Sequence, residues 1–196
     1  MSDPVSDPVT GQGADAVSLV EAARGGDADA WRALYDRHAG RLLLWLRQLP
    51  TGDPGVDADD LAMEAWTLAA TRIADFHGSD DDFAGWLFTV ARNHLMNVRR
   101  RTRRRATYAT ETVPDRPSAH DEPAGAYAES DLIRRALASL PRREGEVLAC
   151  VEVIDLDVAT TAQVLGISAI AVRAARRRGL ARLRRSGWSP VSPEPR

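Results

Sequence analysis

Apolar residues along this chain recur at intervals of three and four. Trp31, Leu34, Tyr35, His38, Leu42, Trp45, Leu46 and Leu49 form one such stripe, with Asp27 and Asp29 ahead of it and a Pro50–Gly55 break behind. That spacing places them on one face of a helix, and either aspartate is a favoured N-cap. A shorter helix is expected over Val17–Ala23, ended by Gly25-Gly26. A third begins near Asp57–Asp60, where carboxylates suit the positive end of the helix dipole, and runs through Leu61, Trp66, Ala69, Ala70 and Ile73 to Phe76. After a His77–Asp82 loop, Asp82 is the expected cap of a fourth helix, which carries Phe83, Trp86, Leu87, Val90 and Ala91 and ends in Arg99–Arg105. In the second half Ser130 should cap a helix that buries Leu132, Ile133, Ala136, Leu137 and Leu140. Pro141 should occupy the first position of the next, with Val147, Leu148 and Val151, and Asp157 should cap another.

No stretch alternates with period two, so no strand is predicted. The pattern is all-α: two small helical domains, 17–105 and 129–186, joined by a flexible linker at 106–128. That linker holds Pro114, Pro117, Pro123 and Gly125 and few apolar residues, which favours an extended, unpacked chain. The same argument makes 1–16 a disordered N-terminus and 187–196 a disordered tail.

The segment Asp157–Arg185 carries the strongest local signal. A short apolar-periodic stretch leads to Leu165-Gly166-Ile167-Ser168 and then to an arginine-studded helix with no acidic residue. Gly166 suits the left-handed conformation that ends a helix, Ile167 can plug the gap between two helices, and Ser168 can cap the second. This is the order of a helix-turn-helix, whose second helix enters the DNA major groove. On that helix Val172, Gly179 and Leu183 share an inward face, and Ile170, Arg173, Ala174 and Arg177 the opposite one. Arg173 and Arg177 are therefore the first candidates for base or phosphate contacts, with Arg178 supporting at the backbone.

Charge adds what spacing leaves out. The chain's net charge of −2 suggests no polyanion partner. Residues 1–98, however, hold 7 Arg against 16 Asp and Glu, whereas 99–196 hold 19 Arg against 12. Such asymmetry is a mark of nucleic-acid contact. Every basic residue other than His is Arg, the side chain best suited to phosphate and guanine. The block Arg99–Arg105 places six guanidiniums in seven residues, a repulsion that a polyanion would relieve. Just before it, Arg92, Asn93, Asn97 and Arg100 can line one surface of the fourth helix. The neighbouring aromatics are expected in the core. Cys150 is the only cysteine, His38, His77, His94 and His120 show no metal-ligand spacing, and no Gly-rich phosphate loop or nucleophile–base pair is present. No catalysis, cofactor or metal is expected. With no apolar leader or membrane-length run, no membrane insertion and a cytoplasmic location are expected.

Asp59-Asp60-Leu61-x-x-Glu64, Trp86-Leu87-x-x-Val90-Ala91-Arg92-Asn93 and the arginine block closely resemble the region-2 domain of extracytoplasmic-function sigma factors. Leu140-Pro141-x-x-x-x-Glu146-Val147-Leu148, followed by Leu165-Gly166-Ile167-Ser168 and Val172-Arg173, resembles their region-4 domain. The resemblance implies a non-enzymatic sigma factor that binds core RNA polymerase and directs promoter recognition and transcription initiation. Asp60, Leu61, Glu64 and Trp66 would dock on polymerase. Arg92, Asn93, Asn97 and Arg100 would hold the unstacked −10 element, whose opening costs a few kcal/mol per base. Ser168, Ile170, Arg173, Arg176, Arg177 and Arg178 would meet the −35 element. An anti-sigma factor is a further partner the resemblance admits. The chain departs from the family pattern at Met63, Asn97, Thr160, Thr161, Arg176 and Gly179. Two alternatives stand beside it: a free-standing helix-turn-helix regulator, and a sigma-like interaction protein without promoter opening.

Overall fold

The computed structural model describes residues 18–53, 55–108 and 124–188, without the side chains of 106–108 and 124–129. The expected N-terminal segment 1–16, most of the 106–128 linker and the tail from Ser189 onward lie outside the described residues. Eight α-helices follow in order: α1 Leu19–Arg24, α2 Ala28–Arg47, α3 Ala58–Arg72, α4 Asp80–Tyr108, α5 Ala124–Ala138, α6 Arg142–Leu148, α7 Val158–Leu165 and α8 Ala169–Arg185. A 3-10 turn, Ile73–Asp75, extends α3, and a π-helical turn, Ala149–Val153, extends α6. No strand occurs among the described residues.

The caps explain most boundaries. Asp27 starts α2 by accepting from Asp29 and Ala30 backbone N–H groups, Asp57 starts α3 through Asp60 N–H, and Asp157 starts α7 through Ala159 and Thr160. Each satisfies donors that the first helical turn leaves unpaired.

Several expectations are corrected. α4 begins at Asp80 rather than after Asp82, because the Asp82 carboxylate turns back onto Ser79 N–H and Oγ. Asp80 itself reaches α1, accepting from Ser18 Oγ at 2.6 Å, Leu19 N at 2.9 Å and Val20 N at 3.0 Å. One carboxylate thus caps a helix some sixty residues earlier in the chain. Helix α4 runs on to Tyr108, and α5 starts at Ala124, both inside the expected linker. Ser130 is consequently interior to α5, where its Oγ accepts from Gln48 Nε2. Pro141 precedes α6 as its N-cap rather than being its first residue. Trp188, assigned to the tail, donates its backbone N–H to Leu183 O and packs on the core.

Helices α1–α4 wrap an aromatic centre. Phe83 packs at a tilt against His38 and Trp86 and edge-on against Phe76, and Trp45 meets Phe88 edge-on at 5.3 Å. Helices α5–α8 close around Val147, Leu148, Val164, Leu165, Val172 and Leu183. Two glycines allow their closest approaches. A Cβ on Gly145 would lie 2.8 Å from Leu137 O, and one on Gly179 would lie 3.0 Å from Leu148 Cδ1. Gly179, a departure from the family pattern, therefore seats Leu148 between α6 and α8. The two groups of helices share one continuous apolar cluster.

Candidate nucleic-acid and polymerase interfaces

Helix α4 presents three faces. Phe83, Leu87, Leu95 and, less deeply, Val90 point into the core. Asn93, Asn97 and Arg100, spaced three or four apart, are exposed on a second face. The third runs Gly85, Arg92, Met96, Arg99 and turns toward the second group of helices. Gly85 meets Thr160 and Gln163 of α7. Met96 Sδ accepts from Arg142 Nη2 at 2.9 Å. Arg99 Nη1 stands 3.4 Å from Glu146 Oε1 while its Nε donates to Pro50 O at 2.7 Å. Arg92 is half-buried on this face. Of the four residues expected at the −10 element, the structure brings three together in the open and sets Arg92 around the side.

Arg99 does not share the fate of the rest of its block. It is 7% exposed. Burial and the nearby Arg142 charge lower its pKa from the ordinary value, and Glu146 opposes them. Arg100, Arg101, Arg103, Arg104 and Arg105 stay exposed, and they are the part of the block that can meet phosphates.

On α3 the four expected polymerase contacts divide. Asp60 and Glu64 are exposed, but Leu61 is 2% and Trp66 8% exposed. Leu61 and Trp66 therefore sit in the core of the free chain, as their apolar spacing expects; the ring of Trp66 packs against Tyr35 at 5.1 Å. The 3.6-residue period turns them inward once α3 lies on α4. Met63, by contrast, stands 62% exposed between Asp60 and Glu64. Glu64 Oε2 lies 2.5 Å from His94 Nε2, tying this surface to α4 beside Asn93.

The helix-turn-helix forms as its sequence predicts. Gly166 has φ 62°, in the left-handed region, and Ser168 Oγ accepts from Ala171 N–H. Val172, Ala175, Gly179 and Leu183 are buried. Ala175 fills the inward position, leaving Arg176 exposed and paired with Glu152 at 2.6 Å. Arg178 and Arg182 both hold Glu144, which is otherwise buried. Arg173 and Arg177 are exposed with no ion pair among the described residues, beside Ile170, which is 77% exposed. An exposed isoleucine flanked by unpaired guanidiniums suits a surface made for bases and phosphates.

Sequence reasoning missed the third face of α4 and its partners Arg142 and Glu146. The signal was available: Gly85, Arg92 and Arg99 recur at seven-residue spacing, two full helical turns. A lone pattern of this kind does not say what it faces.

A polar and cationic reading face on a long helix, joined to a capped helix-turn-helix, defines a two-part DNA-reading protein. Residues 34–105 match sigma-70 region 2 and 130–183 match sigma-70, region 4. The ECF RNA polymerase sigma factor SigF of Caulobacter vibrioides is 32% identical over 156 residues, covering 79% of this chain and 84% of that one. SigD of Mycobacterium tuberculosis is 29% identical over 92% of this chain and 87% of its own length. Among solved structures, the sigma factor RpoE of Bartonella quintana, in complex with the anti-sigma factor NepR, shares the fold with a TM-score of 0.67 at 18% identity, over 81% of this chain and 96% of that one. CnrH, in complex with the cytosolic domain of CnrY, gives 0.65 at 24% identity, over 86% and 94%. The chain belongs to the ECF RNA polymerase sigma factors. It is accordingly a sigma factor: it binds core RNA polymerase and promoter DNA and directs transcription initiation.

Proposed function

We propose that two surfaces of this chain divide promoter reading between them. Asn93, Asn97 and Arg100 on α4, joined by Arg92, hold the −10 element. Ile170, Arg173 and Arg177 on α8, oriented by the Ser168 cap, enter the −35 major groove. Arg176 and Arg178, held by Glu152 and Glu144, flank that groove face and add attraction for phosphate. Asp60 and Glu64, with Met63 between them, form the polymerase-docking edge. The working units are 17–105 and 129–186. The chain performs no covalent chemistry itself, acts in the cytoplasm where polymerase meets the chromosome, and accepts an anti-sigma factor as a further partner.

The observation that carries this is the unpaired Arg173/Arg177 pair beside exposed Ile170 on a capped second helix. Removing a guanidinium that touches a base costs about 1–3 kcal/mol of discrimination, and one that touches phosphate lowers the salt dependence by about one ion. Arg173→Ala should therefore weaken −35 binding about tenfold or more while core polymerase affinity stays intact, as measured by promoter binding across a salt series and by co-purification. Equal loss of both would make α8 a structural helix. A free-standing regulator would never form a stoichiometric complex with core polymerase. A sigma-like protein without promoter opening would form that complex yet yield no run-off transcript.

A further inference from the structure

We infer that Glu144 of α6 is a positioning residue for promoter binding: it grips Arg178 and Arg182 of α8 by their Nε atoms and presents two preset guanidinium forks to the DNA backbone. That role rests on α8 being the −35 reading helix. Arg178 Nε donates to Glu144 Oε1 at 3.1 Å, and Arg182 Nε stands 2.9 Å from Glu144 Oε2. One carboxylate thus spans two arginines a single turn apart, offsetting the repulsion between like charges at i and i+4. The Glu144 side chain is 6% exposed, whereas those of Arg178 and Arg182 are 54% and 49% exposed. The carboxylate is therefore the buried end of each pair, and the Nη ends meet no carboxylate among the described residues. Gly179 makes the arrangement possible. A Cβ there would lie 3.0 Å from Leu148 Cδ1 and 3.4 Å from Glu144 Cβ, so its absence lets α8 lie close over α6 and the carboxylate.

At 3.6 residues per turn, Arg178 lies about 100° round α8 from Arg177, and Arg182 about 40° further. Both stand on the flank of the reading face, between Arg177 and α6. A helix in the major groove has phosphates along its flanks, and contacts to them fix its register without reading sequence. An arginine held through Nε keeps its Nη groups free, in a plane that the carboxylate sets. A free arginine gives up side-chain freedom when it meets a phosphate, whereas these two have given it up on folding. Charge alone predicts the reverse effect. Glu144 lowers the local positive charge, so its neutralisation should tighten DNA binding if attraction were everything. The Arg176–Glu152 pair on the other flank is open on both sides, at 45% and 35% exposed. An exposed pair of that kind holds its side chains weakly, so the clasp belongs to Glu144.

Holoenzyme reconstituted with the full chain tests this on two DNA fragments across a salt series. One is a promoter fragment from which the native holoenzyme gives a run-off transcript, and the other is the same fragment with its −35 element scrambled. Glu144→Gln should weaken binding to both about tenfold, keep their ratio, and lower the salt dependence. Arg178→Lys with Arg182→Lys keeps every charge, yet should lose as much, because an ammonium held by Glu144 offers phosphate no fork. Added to that double variant, Glu144→Gln should weaken binding no further. Circular dichroism and core-polymerase affinity should be unchanged throughout. Tighter binding by Glu144→Gln, full binding by the double lysine variant, additive losses, or a parallel fall in polymerase affinity would each overturn the clasp. If Glu144→Gln does not fold, the double lysine variant decides by itself. Arg173→Ala separates the clasp from the −35 reading, since it should lower the ratio between the two fragments. An unchanged ratio would overturn that reading and the clasp with it. A lowered ratio, alongside any of the overturning outcomes, would count against the clasp alone.

Discussion

His38 shows how much one side chain can be asked to tolerate. It is buried on α2 against Phe83, with neither ring nitrogen hydrogen-bonded among the described residues. Burial first, then the charges of Arg41 and Arg37, lower its pKa from 6.5 to about 4. The unfolded chain therefore takes up a proton near 6.5 that the folded chain refuses until about 4. Stability is full above pH 6.5 and falls as pH drops through that window, by an amount on the order of 2–3 kcal/mol. His38→Leu should flatten the dependence between pH 6.5 and 4, as read by urea denaturation at stepped pH, without loss at pH 7.5. Gly145 makes the opposite demand, for the absence of a side chain. Gly145→Ala drives a Cβ into the Leu137 carbonyl, a backbone atom that cannot move aside, and should cost about 1–3 kcal/mol in the same assay. Nothing in the spacing of the sequence announces either requirement. His38 reads as one more position in a helical stripe, and Gly145 as an unremarked letter inside a motif.

At the scale of elements, caps were legible and partners were not. Asp27, Asp57, Asp157, Gly166 and Ser168 act where local chemistry places them, because an N-cap or a left-handed turn is decided within four residues. Asp80 is different, since it caps α1 from the start of α4. Burial pushes its carboxyl pKa up, but hydrogen bonds from Ser18, Val20 and Leu19 outweigh it and hold the group below the usual value of 3.8. Its contribution is therefore present at neutral pH and lost as pH falls below about 4. Asp80→Asn should destabilise the protein by about 1–2 kcal/mol near pH 7 and by little at pH 3, and should loosen α1 in amide exchange. The amphipathic stripe of α3 put Leu61 and Trp66 among its apolar positions, and both are buried; only the resemblance gave them a docking role. Motif membership says that a residue matters, whereas the helical period, once α3 has a neighbour, says which way it points. Helix α4 outran its predicted end because an arginine run is a good helix former.

For the whole molecule, the shared apolar cluster and the Arg41–Ile154, Arg99–Glu146 and Gln48–Ser130 bridges join two sequence-defined parts, which should therefore unfold as one body. Calorimetry of the free chain should give a single transition with calorimetric and van't Hoff enthalpies in a ratio near 1. Two resolved transitions would mean that the halves unfold independently and that the seam contributes little. The amino-acid sequence by itself determined the helices, most of their caps, the helix-turn-helix and the family. The helices, caps and turn follow from periodicity and from short-range hydrogen bonding, whose partners sit within a turn of each other, and the family from the resemblance of its motifs. Only the tertiary structure decided which arginines stay free and which are taken. Arg173 and Arg177 face outward, while Arg99, Arg176 and Arg178 are held by Glu146, Glu152 and Glu144. A guanidinium's role depends on the carboxylate it meets, and distance in space, unlike helical spacing, is not written along the chain.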